Sequence, residues 1–92
     1  MRQFLVHHTG DNVGVAVVDV EPGQNLTGTT LDNGHRLSVK ACEAIPLGHK
    51  IALRDLKVGD TVVKYGEDIG RVVADIRTGQ HVHVHNLKTK RW

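Results

Sequence analysis

Seven of the 92 residues are histidine, and three of them alternate with valine in Gln80-His81-Val82-His83-Val84-His85-Asn86-Leu87. Imidazole binds metals and transfers protons near neutral pH, so this stretch is where chemistry is expected. Alternation of period two places His81, His83 and His85 on one face of an extended strand, with Val82 and Val84 on the other. Valine is stiff and favours strands, and its side of the strand belongs to a core. A strand rises about 3.3 Å per residue, so same-face neighbours sit roughly 6.6 Å apart and the outer pair roughly 13 Å apart. An ion held at about 2 Å from each nitrogen can then bridge His81 with His83, or His83 with His85, with further ligands from elsewhere. It cannot span all three. The competing reading is a solvated strand face that happens to be rich in histidine.

A second informative stretch is Ile45-Pro46-Leu47-Gly48-His49-Lys50-Ile51-Ala52-Leu53. Pro46 and Gly48 set a turn, and the chain leaves it extended with His49, Ile51 and Leu53 on one face. His49 therefore points with core residues, while its place at the strand end lets it reach a rim. Lys50, on the other face with Ala52, can hold an anion as a point charge. His7 and His8 read as a polar strand end, and His35 as another. Cys42 has no activating neighbours and is expected to be a small buried apolar side chain.

The elements that must position these groups are short. Fourteen valines against one Phe, one Tyr and one Trp favour a β-rich core of branched aliphatics, and ten glycines with two prolines imply many tight turns. The expectation is an all-β chain forming a single domain over residues 1–92. Strands are expected at Phe4-Leu5-Val6, at Val13 to Val20 (apolar on both faces), and from Leu26 to Leu31. An Asn33-Gly34 hairpin then returns His35 to Ala44, with Leu37, Val39 and Ala41 facing the core. Arg54 to Asp60 is expected as one short helical or 3₁₀ turn tucking Leu56 and Val58 inward. Strands Thr61 to Tyr65 and Ile69 to Ile76 follow, and Arg77-Thr78-Gly79 turns into the histidine run. No exact repeat is present.

Composition also excludes. A net charge of +2 is too small to argue for nucleic acid, and the basic end Lys88-Thr89-Lys90-Arg91-Trp92 lacks an extended stacking platform. No apolar run approaches the roughly 20 residues of a membrane-spanning helix. One cysteine and no charged-then-apolar opening segment lead us to expect a cytoplasmic protein.

Pro46-Leu47-Gly48-His49-Lys50-Ile51-Ala52-Leu53, Asp55-Leu56, Gly59-Asp60, Val63-Lys64-Tyr65-Gly66, Ile69-Gly70 and Gly79 to Asn86 together resemble the amino-terminal SAF domain of altronate and galactarate dehydratases. The resemblance is loose before Ile45 and close after it. It implies a β-clip fold of short, bent strands. In that family the domain is fused to a much larger one or encoded as a separate small subunit; a chain ending at Trp92 is expected to be the latter. The basic end is also similar to that of the small subunit of sulfolactate sulfo-lyase, a relative of the same two-part design.

The resemblance implies a lyase: a 2-hydroxy acid loses its C2 proton and a C3 substituent, and the enol becomes a 2-oxo acid. Such chemistry needs a base, a cation for the developing enediolate, and an acid or metal for the leaving group. The family implies a divalent metal, iron(II) being the candidate. His83 and His85 are then expected as metal ligands or proton carriers, with Asn86 orienting them or touching substrate. His49 and Lys50 would hold the small acidic substrate, and Tyr65 with Gly66 and Gly70 would shape and line the turn beside them. No clustered Asp, Glu or Cys completes the site, so a large catalytic subunit is the expected partner and the histidine face its rim. Open sheet edges could also support homo-oligomers. The alternative is a non-catalytic carbohydrate- or anion-binding SAF module.

Overall fold

The computed structural model describes residues 2–89, all strand and turn with no helix among them. Nine strands follow in order: β1 (Phe4–Val6), β2 (Val13–Ala16), β3 (Asn25–Thr30), β4 (Arg36–Lys40), β5 (Lys50–Ala52), β6 (Thr61–Lys64), β7 (Glu67–Val72), β8 (His81–Val82) and β9 (Leu87–Thr89). They form a six-stranded sheet in the order β4-β3-β1-β2-β5-β8 and a three-stranded sheet β6-β7-β9. Every pairing is antiparallel except β1 with β3.

Two apolar clusters hold the sheets. One gathers Val6, Leu26, Ile45 and Ile51 around Phe4. The Phe4 ring fits because its neighbours are glycines: a Cβ at Gly28 would lie 2.2 Å from the ring and one at Gly14 2.9 Å. The other cluster gathers Val62, Val72, Ile76, Val82 and Leu87 with Val13 and Ala52 from the large sheet. Each such side chain, fully buried, contributes about 1.5–3 kcal/mol before entropy is counted.

One turn is used four times: Asp19-Val20-Glu21-Pro22-Gly23-Gln24, Ala44-Ile45-Pro46-Leu47-Gly48-His49, Asp55-Leu56-Lys57-Val58-Gly59-Asp60 and Asp75-Ile76-Arg77-Thr78-Gly79-Gln80. The apolar second residues bridge in pairs, Val20 with Ile45 and Leu56 with Ile76. The fifth residue is always glycine, at φ 80, 86, 92 and 88°, because that position is left-handed. The sixth side chain accepts the third residue's N–H, as Gln24 does from Glu21, Asp60 from Lys57 and Gln80 from Arg77. The first residue, aspartate, accepts the fourth N–H of the paired turn: Asp19 from Leu47, Asp75 from Val58, Asp55 from Thr78. Both prolines of the chain sit where one of these N–H groups would be. Pro22 lacks the donor that Ala44 would have to accept, and Pro46 lacks the donor that His49 would have to accept. His49 is thereby released from turn duty.

The all-β expectation, the Asn33-Gly34 hairpin and the inward face of β4 agree with the structure. Other expectations do not. Arg54 to Asp60 forms no helical turn: Leu56 is extended, exchanging two 2.8 Å hydrogen bonds with Ile76, and Lys57 to Asp60 is a β-turn closed by a 2.9 Å bond. Leu56 points inward as expected, but Val58 at the turn tip is 62% exposed. Cys42 is exposed, since Ala41 takes the core position and the thiol donates to the Thr78 carbonyl at 3.1 Å. β2 stops at Ala16, where the chain bends toward the Val20 bridge and leaves Val17 exposed. The histidine run is not one strand: it breaks after Val82, because Leu87 must reach the second sheet and pair with Val72. Val84 consequently leaves the core and is 77% exposed. The last residues of the basic end, 90–92, lie outside the described residues.

The equivalent turn glycines separate two costs. Alanine at either Gly23 or Gly79 incurs the left-handed penalty of about 1–2 kcal/mol. At Gly79 the added Cβ would also lie 2.0 Å from the Lys40 carbonyl oxygen, whereas Gly23 faces open space. Gly79→Ala should therefore destabilise the fold by about 2 kcal/mol more than Gly23→Ala in urea unfolding. Equal losses would show that the backbone relaxes around residue 79.

Candidate metal and anion site

The site grows from the pairing of β5 with β8. Lys50 lies opposite Val82 and Ile51 opposite His81. One step further along the same register puts His49 opposite His83, and the two rings stack with centroids 4.3 Å apart. His81 is the diagonal neighbour on that face, and its Nε2 lies 2.8 Å from Nδ1 of His49, so one proton is held between them. Ligand atoms of the half-buried His49, His81 and His83 all fall within 4.8 Å of one another. Tetrahedral ligands about 2.0–2.1 Å from an ion are a little over 3 Å apart, so small ring rotations would let three neutral imidazoles hold a divalent ion and leave a position open. The donor set suits the family's implied metal, and it contains no carboxylate or thiolate.

Asn86 makes this convergence possible. It is buried, and its Oδ1 accepts the His83 N–H at 2.9 Å while Nδ2 donates to the His81 carbonyl at 2.8 Å. The Asn86 and Leu87 N–H groups both return to the His83 carbonyl, at 3.1 and 2.9 Å. A tight turn thus folds the run back on itself, and His81 and His85 come to 5.3 Å between ring centroids instead of the strand's 13 Å or so. Because Oδ1 is committed as an acceptor, Nδ2 also donates to His85 Nε2 at 3.0 Å. A neutral His85 must then carry its proton on Nδ1. Of the expected ligands, His83 lies in the close trio while the exposed His85 lies beside it with one nitrogen occupied. Asn86 spends one amide proton on the His81 carbonyl and the other on His85, so it orients the run and has no proton left for a substrate.

Lys50 flanks the cluster and is half-buried. Burial, and then the charge of Lys64, hold its ammonium below the usual lysine range. Lys64 Nζ lies over the Tyr65 ring at 5.0 Å, and that ring stacks on His7 at 3.7 Å. Tyr65 is the one non-glycine residue with positive φ, 58°, among those described. Tyr65 and Gly66, φ 58 and 72°, are the two-residue turn of the β6–β7 hairpin, which requires positive φ at both, and the buried Asp11 carboxylate accepts their N–H groups, both at 2.9 Å. His81 and His83 are favoured neutral: burial first, then the proximity of His49, lowers both pKa values.

Sequence reasoning reached His49, Lys50, Tyr65, His83, His85 and Asn86, and the structure gathers His49, Lys50, His83, His85 and Asn86 around one place. It underrated His81, which straight-strand spacing keeps too far from a shared ion, and passed over Lys64 and His7. The alternation did contain the signal for His81; nothing local signals the other two.

Residues 2–90 match the family model of the altronate/galactarate dehydratase SAF domain. The chain belongs to this family. It is 58% identical over 90 residues to the (2R)-sulfolactate sulfo-lyase subunit alpha of Chromohalobacter salexigens, covering 97% of this chain and 96% of that one. It is 61% identical over 64 residues to the subunit of the same name from Paracoccus pantotrophus, covering 68% of this chain and 92% of the relative. The altronate dehydratase of Bacillus subtilis is 40% identical over 89 residues, which are 97% of this chain but 17% of that enzyme. The SAF domain is therefore found both as nearly the whole of a subunit and as a small part of a larger enzyme.

A pH dependence follows from the neutral histidines. With folded pKa values below the ordinary 6.5, the unfolded SAF domain binds more protons than the folded one, so stability is full above about 6.5 and falls as pH drops through the lower folded values. His7, lowered by burial and by Lys64, adds in the same direction. The urea midpoint should decline between pH 7.5 and 5.5, and His81→Gln with His83→Gln should flatten that decline. A midpoint that rises on acidification would contradict the neutral cluster.

Proposed function

We propose that this chain is the small subunit of a two-component hydroxy-acid lyase and that its substrate is sulfolactate. The observation that carries the choice of substrate is the end-to-end likeness to the sulfo-lyase alpha subunit, 58% over 96% of that protein, against 17% coverage of the altronate dehydratase. In the reaction the C2 proton passes to a base, the C3–S electron pair leaves with sulfite, and the enol formed becomes pyruvate.

His49, His81 and His83 would hold a divalent ion, iron(II) being among those imidazole suits. Bound there, it would supply Lewis-acid assistance at the hydroxyl and carboxylate oxygens. Lys50 neutralises an anionic oxygen of the acid. His85, whose proton is directed to Nδ1 by Asn86, is the imidazole of the run left to carry a proton. Tyr65 bounds the substrate's far side. The remaining ligands and the C2 base come from a larger subunit. Support for that docking is the exposed Val84 between His83 and His85, continuous with a recess of about 390 Å³ that Val73, Val84 and Leu87 line. No helix among the described residues is long and apolar enough to cross a membrane, and with a single exposed thiol we place the enzyme in the cytoplasm.

Coupled assays of pyruvate and sulfite formation test this reading, using the chain alone, the partner alone and the mixture, with and without ferrous iron. Turnover is expected in the mixture with iron only. His49→Ala with His83→Ala should lower it about 100-fold or more while the subunits still associate. Unchanged turnover in that double variant would remove the histidines from the mechanism, and turnover of altronate or galactarate in place of sulfolactate would reassign the substrate.

A further inference from the structure

His8 and His35 read singly as polar strand ends, yet the fold brings both to one recess. Its floor is Val6, Leu37 and Leu53, its rim carries His8, His35 and Arg54, and its volume is about 260 Å³. Val6 is a buried member of the Phe4 cluster, while Leu37 and Leu53 are only partly buried against it, so apolar surface is left facing the opening. None of His49, Lys50, His81 and His83 lines this recess. Strand β5 separates the two places: His49 precedes it and Leu53 follows it, roughly 13 Å apart along an extended chain.

The rim is built in advance of any ligand. The loops carrying His8 and His35 are stapled together, because Asp32 accepts the Thr9 N–H at 2.8 Å and the Thr9 hydroxyl at 3.0 Å, and Asn33 donates to that hydroxyl at 2.7 Å. His35 is fixed at its backbone, its N–H on Asn33 Oδ1 and its carbonyl on the Thr30 N–H. Leu53 is set by its own N–H, which donates to the Asn12 carbonyl at 3.0 Å. Asp55, the neighbour of Arg54, is turned to Thr78 and accepts its N–H and hydroxyl at 2.8 and 3.0 Å. Arg54 has no carboxylate within 4.0 Å among the described residues, where the one ion pair is Lys57 with Asp75.

The lining selects its occupant. A permanent guanidinium with two imidazoles presents N–H donors to an anion, and the planar fork of arginine matches the two oxygens of a carboxylate. The buried Asp11 carboxylate also borders the recess; three backbone N–H groups compensate it, but it disfavours a second negative charge nearby. The aliphatic floor favours hydrocarbon over hydroxyl groups, and the volume suits a small metabolite. We propose that this recess is a second binding site, for a short aliphatic monocarboxylate, with the carboxylate on Arg54, His8 and His35 and the hydrocarbon end on Val6, Leu37 and Leu53. The site is separate from the histidine cluster and does not depend on the lyase reading.

The test titrates the isotope-labelled full chain with isovalerate and follows its amide chemical shifts. Saturable shifts are expected at Thr9, Leu37, Leu53 and Arg54, with little change at His49, His81 and His83. Isoamyl alcohol keeps the hydrocarbon without the charge, inorganic phosphate keeps charge without the hydrocarbon, and succinate adds a second carboxylate; each should bind at least about 10-fold more weakly. Arg54→Met should weaken isovalerate by at least about the same factor. Arg54 is exposed, so the variant should keep the fold, which an unchanged spectrum away from the recess verifies. His8→Ala with His35→Ala should weaken isovalerate several-fold and supplies a second readout. Absence of saturable shifts at the recess, affinity unchanged in Arg54→Met, or equal binding of phosphate and isovalerate would overturn the proposal. Shifts centred on His49, His81 and His83 would overturn it too, by placing the anion at the other site.

Discussion

The two sheets meet at a buried polar pair, Asp11 and Asn12, which ties the start of β2 to β6 and to the turn that follows it. Asn12 behaves as a strand residue on both sides: its backbone bonds Val63 and Leu53, while its side chain donates to the Thr61 carbonyl and accepts the Val63 N–H at 2.9 and 2.7 Å. Asp11 accepts three backbone N–H groups, from His8, Tyr65 and Gly66. A buried polar group left without partners costs about 1–3 kcal/mol, so this joint is stable in one geometry and unfavourable in its neighbours. Apolar side chains could have filled the same space, but they would not have specified the crossing of the sheets so narrowly.

Much of this was legible in the residues. The branched aliphatics and scattered glycines announced short strands, the Asn33-Gly34 pair marked its hairpin, and the resemblance after Ile45 pointed to the family that the comparisons bear out. What was hidden had physical reasons. Alternation in the histidine run reads as a straight strand, because nothing in Val84 or His85 shows that Leu87 must join another sheet; the buried Asn86 amide is what permits the reversal. The stacking of His7 on Tyr65 was hidden as well, since the Tyr65-Gly66 turn is tied to Asp11, far away in sequence. The repeated turn was readable in principle, yet its two departures, Ala44 and His49, disguise the second copy.

Three imidazoles in contact would repel one another if charged, and Lys50 adds to that field. His81 and His83 are consequently favoured neutral, and the permanent charge of Lys64 stands apart from them on the neighbouring sheet. The division is spatial: β5 and β8 carry the first, the end of β6 the second. Neither sheet alone would present both.

The fourfold turn has a consequence for how such a site could arise. A fold that solves one structural problem four times holds four equivalent corners, each with a side chain at the sixth position engaged in closing its own loop. At one corner a proline removes the need for closure, and the freed position can change without loss to the scaffold. His49 occupies that vacancy. The histidine cluster forms where that symmetry is broken, at the corner where the architecture asks nothing of the side chain.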